Sequence, residues 1–122
     1  MVNFLFVYGT LRSEFDNQYA RLLRSEARLV GPATVMGSLF RIQHSATQRY
    51  PGFRFLPDGE VRGELWQLRT PAKTLAELDA YEGGEYSRVT IEVAGGRTAW
   101  IYEYNAQPDE SRRIASGDFC AA

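Results

Sequence analysis

Apolar residues gather at the start of the chain as Phe4, Leu5, Phe6, Val7 and Tyr8, then stop at Gly9-Thr10. Aromatic and β-branched side chains in so short a run predict a buried strand, and the Gly-Thr step predicts a turn where glycine frees the backbone. Tyr19, Leu22, Leu23 and Val30 then form a helical stripe, with Asp16 or Asn17 as N-cap and Gly31-Pro32 as the stop. Ala33 to Ile42 (ATVMGSLFRI) predicts a strand weakened at Gly37, and HSATQRYPGF a polar connection closing on a turn at Tyr50-Pro51-Gly52. Pro57-Asp58-Gly59 predicts a hairpin turn into the strand EVRGELWQL, paired antiparallel with Val61 and Leu65 on one face. In VTIEVAGGRTAWIYEY, Val89, Ile91 and Val93 alternate before Gly95-Gly96, and Trp100, Tyr102 and Tyr104 alternate after it, which predicts another hairpin. The remainder, NAQPDESRRIASGDF, is polar and turn-rich, with Phe119 placed to fold back as an apolar anchor.

Two of these segments carry candidate chemistry. Past the first strand, the amides of Gly9, Thr10 and Leu11 have no ladder partners, and successive free amides make a concavity suited to a carboxylate; the same residues also suit an ordinary strand end. In TPAKTLAELDAYEGGEY, Thr70 suits an N-cap, Pro71 the first helical position and Gly83 the stop, so the helix runs from Pro71 to Glu82. At ~100° per residue, Leu75, Leu78 and Glu82 fall within roughly 60° of one another, which aims Glu82 at the core. Desolvation, the negative helix end and the like charge of Asp79 would all raise its pKa and prepare it as a proton acceptor. A frayed last turn would instead release Glu82 to water.

Composition narrows the function. A chain of 122 residues predicts one domain spanning 1–122, able to bury roughly two thirds of its unfolded surface. A formal charge of −1, from 14 basic and 15 acidic residues, argues against nucleic acid as a partner. The apolar start is far shorter than the ~18 residues of a membrane span, and no basic segment precedes it, so the expectation is a cytoplasmic protein without a membrane partner. Cys120 is the one cysteine and reads as a tail thiol or small apolar residue; His44 is the one histidine and sits in a polar loop. A metal site or an activated nucleophile lacks its parts, and neither Gly83-Gly84 nor Gly95-Gly96 belongs to a nucleotide-binding motif. The face of Trp100, Tyr102 and Tyr104 suits a core or a ligand platform.

Taken together, VYGTLR near the start and LDAYEGGEYSR some seventy residues later resemble the gamma-glutamylcyclotransferase-like family, and RYPGF, AWIYEY and SGDF are similar to its small bacterial members. The resemblance covers most of the chain. It implies an α+β fold, a small, mostly antiparallel β-barrel flanked by helices. It also implies that Tyr8, Gly9, Thr10 and Leu11 hold the α-carboxylate and neighbouring atoms of a γ-glutamyl group, and that Tyr50 and Tyr86 line the pocket. Glu82 would accept a proton from the substrate's α-ammonium, the freed amine would attack its own γ-carbonyl to form 5-oxoproline, and the leaving amine would take that proton back. Such a transferase or lyase-like reaction needs no metal, nucleotide or other cofactor. The alternatives are a non-catalytic module binding a small amino-acid-like carboxylate, and an interaction protein with a vestigial pocket.

Overall fold

A computed structural model describes residues 2–43, 49–56 and 59–121. The first apolar run is strand β1 (Phe4–Val7), and it alternates as a strand between two cores must. Leu5 and Val7 enter a core shared with the helices, whereas Phe6 and Tyr8 enter a core inside the curl of the sheet. Helix α1 (Gln18–Glu26) follows, and its N-cap is Asn17, whose Oδ1 accepts from the amides of Tyr19 and Ala20 at 3.1 and 2.9 Å. Asp16 instead pairs with Arg21 and Arg24 at the surface.

The first helix ends sooner than its apolar stripe suggests. Ala27 to Met36 forms strand β2, so Val30 lies in a strand and Gly31-Pro32 do not stop a helix. The cause is pairing that local periodicity does not reveal: β2 runs antiparallel to β5 (Glu60–Leu68) along its whole length, with a bulge between Leu29 and Gly31. Strand β3 (Ser38–Gln43) begins after Gly37, the predicted weak spot. Tyr50-Pro51-Gly52 is not a turn but the middle of strand β4 (Arg49–Arg54), antiparallel to β3 with Pro51 opposite Arg41. Proline is tolerated because the other edge of β4 pairs with β7 only at Phe53, leaving little demand for its missing N–H. The polar connection around His44 and the turn at Pro57-Asp58 lie outside the described residues.

Helix α2 (Pro71–Glu82) has the predicted bounds. Thr70 precedes it without a side-chain cap bond, and Gly83 ends it at φ 72°, a left-handed conformation that favours glycine. One 3-10 turn (Gly83–Glu85) leads into the predicted hairpin of β6 (Tyr86–Glu92) and β7 (Thr98–Tyr104).

The sheet order is β2-β5-β1-β7-β4-β3, with β6 also on β7. Its pairs are mixed: β1 and β4 run parallel to β7, and the other neighbours are antiparallel. Long crossovers permit those parallel contacts, which no hairpin could supply. The sheet curls until Val35 bridges Val93, yet it stays open, so the expected mostly antiparallel barrel is a mixed half-barrel with two helices on its outer face. Among the described residues, no helix is long and apolar enough to cross a membrane.

Candidate active site

Where β1 ends, the chain turns over a small cavity. Tyr8 is buried, and its hydroxyl donates to the Tyr102 carbonyl at 2.6 Å while accepting from the Phe53 amide at 3.2 Å. Its hydroxyl is therefore a structural peg, and its ring forms cavity wall. Gly9 is required by close approach: a Cβ here would stand 2.5 Å from Cγ of Pro51, and its φ is not positive. The amides of Gly9, Thr10 and Leu11 donate no hydrogen bond among the described residues, while the Gly9 carbonyl accepts from Arg12 at 3.0 Å and closes the turn.

Glu82 lies across this cavity at the end of α2. Its carboxylate makes no hydrogen bond or ion pair among the described residues, and burial pushes its pKa from 4.5 up to about 7. Asp79 does not contribute as the expected like-charge neighbour. It accepts from Arg88 Nε at 2.8 Å and the Tyr102 hydroxyl at 2.7 Å. Burial opposes ionisation of Asp79, yet these two donors outweigh it and hold its carboxyl below the usual range. One carboxylate is thus neutralised by partners, and its neighbour one turn on faces the cavity uncommitted.

Tyr50, Tyr81, Tyr86 and Tyr102, with Pro51, complete the wall. The Tyr86 hydroxyl donates to the Pro51 carbonyl at 2.9 Å, and burial raises the pKa values of Tyr86 and Tyr102, keeping both phenols neutral. Tyr81 stacks on Tyr19 of α1, ring centres 4.1 Å apart, and its hydroxyl lies 3.4 Å from Thr10 Oγ1. The cavity measures about 50 Å³, and among the described residues Glu82 is the only charged one in its lining. Wider grooves of about 720 and 600 Å³ lie elsewhere on the half-barrel, and neither is lined by Glu82 or by Gly9, Thr10 and Leu11. Among the described residues, no three His, Cys, Asp or Glu side chains gather as a metal-ligand set, and the exposed Cys120 is not in the cavity wall.

Residues 5–121 match the family model described as gamma-glutamyl cyclotransferase, AIG2-like. The chain belongs to this family. It is 36% identical over 119 residues to the gamma-glutamylcyclotransferase family protein YtfP of Escherichia coli K12, covering 94% of each chain. Two solved structures share the fold. An uncharacterized protein from Pyrococcus horikoshii superposes with a TM-score of 0.75 at 22% identity, over 99% of this chain and 92% of the other. A mouse aig2-like protein gives 0.67 at 23% identity, over 88% and 80%.

In this gamma-glutamyl cyclotransferase-like chain, every residue singled out from the sequence as a site candidate, Tyr8, Gly9, Thr10, Leu11, Tyr50, Glu82 and Tyr86, borders the one cavity. Three further wall residues escaped that reading. Pro51 was assigned to a turn. Tyr81 is signalled only by its place beside Glu82, and Tyr102 by the alternation of β7, which favours core over ligand platform.

Proposed function

We propose that this cavity receives the γ-glutamyl part of a small γ-glutamyl compound and that Glu82 is the acid–base catalyst of its cyclisation. The observation that carries the reading is the pairing, across one small cavity, of an uncommitted, desolvated carboxylate with three uncommitted backbone amides. The amides of Gly9 to Leu11 take the substrate α-carboxylate. Glu82, ionised, removes one proton from the α-ammonium. The nitrogen lone pair then attacks the γ-carbonyl carbon, forming the ring C–N bond. As the bond to the leaving amine breaks, that amine takes the proton back from Glu82; the ring nitrogen then gives its second proton to the same carboxylate, which passes it to the released amine. The products are 5-oxoproline and the amine as its ammonium, with no water consumed. The intramolecular attack needs positioning and one proton relay, and the cavity offers both.

The test is incubation with a panel of γ-glutamyl amines and γ-glutamyl amino acids, followed by chromatography for 5-oxoproline and glutamate. The expected product is 5-oxoproline, and a Glu82→Gln variant should keep binding while losing turnover by about 10²- to 10⁴-fold. Free glutamate as product would replace cyclisation with hydrolysis. Binding of γ-glutamyl compounds by calorimetry with no product from any of them would favour the non-catalytic carboxylate-binding module.

A further inference from the structure

The turn that lines the cavity is held by few bonds of its own. Between β1 and α1 the chain has no strand ladder, and among the described residues its internal backbone bonds are those from Arg12 to the Gly9 carbonyl and from Phe15 to the Arg12 carbonyl. We propose that two carboxylates outside the cavity, Glu64 on β5 and Asp118 in the C-terminal segment, are positioning residues that hold Gly9 to Ser13 in the shape presented to a ligand.

Glu64 is the inner anchor. It stands opposite Val7 in the β1–β5 register and is 8% exposed, between the buried Gly63 and Leu65. A carboxylate in so buried a strand position is costly unless donors surround it. Here it accepts from the Ser13 amide at 2.7 Å, from the Ser13 hydroxyl and, at 3.4 Å, from Trp66 Nε1. Two of its three donors belong to the residue two places beyond Leu11, so the buried charge is spent on the turn rather than on the sheet.

Asp118 is the outer latch and gives the SGDF segment a use beyond the apolar anchoring expected of Phe119. Its Oδ1 accepts from Arg12 Nη1 at 2.7 Å and from the Cys120 amide at 2.9 Å, so its own segment fixes it before it grips the arginine. Arg12, with a side chain only 11% exposed, also pairs with Glu14 at 2.8 Å. Beside this pair Phe119 stacks on Phe15, ring centres 6.1 Å apart. Arg12 and Ser13, immediately downstream of the free amides, are thereby gripped from two sides by elements distant in sequence.

Residue-resolved amide hydrogen exchange tests the proposal. In Glu64→Ala the Arg12 and Ser13 amides should exchange about tenfold faster while β7 amides keep their wild-type rates, since only a local opening is made easier. Glu64→Gln retains an oxygen that accepts from the Ser13 amide, and should stay within about threefold of wild type. Asp118→Ala should speed exchange at Arg12 in the same local way, and it keeps the proposal testable should Glu64→Ala fail to fold. Unchanged Arg12 and Ser13 rates, a loss of protection spread equally over β7, or a Gln variant as loose as the Ala variant would each overturn it. A kinetic arm rests on the cyclisation reading: Glu64→Ala should raise KM or lower kcat for 5-oxoproline release by about tenfold, with recovery in Glu64→Gln. Should the wild-type chain release no 5-oxoproline, that reading fails, and the exchange rates still decide whether Glu64 and Asp118 position the turn.

Discussion

Glu82 occupies a position that ionisation makes unfavourable, and that cost is measurable. Its pKa is about 7 in the folded chain against an ordinary 4.5. Between those pH values the native state holds a proton that the unfolded state has released, so stability falls as pH rises through this window and levels off above about 7. Relative to Glu82→Gln, the wild-type chain should be less stable at pH 8 by on the order of 3 kcal/mol and nearly equal at pH 4, as denaturant unfolding at the two pH values would show. Activity has the opposite slope: kcat/KM for cyclisation should rise with pH to a plateau, with its acid limb near 7, because the base must be ionised. Tyr8 gives the contrasting case of a cavity residue whose polar atom is already engaged. Tyr8→Phe removes the donor to the Tyr102 carbonyl and strands the buried Phe53 amide, so it should cost about 1–3 kcal/mol of stability while leaving Glu82 and the free amides in place. Thermal unfolding beside 5-oxoproline assays separates the two effects.

Among the elements, Asn17 joins helix to turn. Its Oδ1 caps α1, and its Nδ2 donates to the Thr10 carbonyl at 2.8 Å. Asn17→Ala should lose about 1–2 kcal/mol through the cap alone. Asn17→Asp keeps the cap but sets a carboxylate against the Thr10 carbonyl, so it should retain most of the stability and weaken binding of a γ-glutamyl compound measured by calorimetry. This dual role also marks how far the sequence could be read. Helix α2 was legible from end to end because its signals, Pro71, the Leu75 and Leu78 stripe and Gly83, are local and agree. The β6–β7 hairpin was legible for the same reason. Helix α1 was misjudged at its far end because Val30 fits a helical spacing, whereas what decides its state is β5, some thirty residues away. The Tyr50-Pro51-Gly52 stretch was misread because Pro-Gly signals a turn locally, while pairing with β3 keeps it extended and presses Pro51 against Gly9. Glu82 was found by helical phase, but its engaged neighbour Asp79 was not separable from it without Arg88 and Tyr102, which come from β6 and β7.

At the scale of the molecule, the curled sheet divides the interior into two cores, and the cavity depends on them unequally. Phe6, Leu39, Phe53 and Val61 fill the inside of the half-barrel, whereas Leu5, Leu23, Trp66 and Leu78 pack sheet against helices. Leu78 is fully buried and stands one helical turn before Glu82 on the same face of α2, so its side chain is part of what keeps water from that carboxylate. Leu39, 1% exposed, offers the same chemistry in the other core. Leu78→Ala and Leu39→Ala should each cost about 2–5 kcal/mol, because both remove the same buried carbons and leave a comparable cavity. Their effects on Glu82 should differ. Room and water beside α2 lower the desolvation that raises the Glu82 pKa, so Leu78→Ala should move its titration from about 7 toward 4.5, followed by NMR of the side-chain carboxyl carbon. Leu39→Ala should leave that titration in place despite similar destabilisation. An equal movement in both variants would mean that general loosening, and not the helix–sheet core, governs the proton affinity of Glu82.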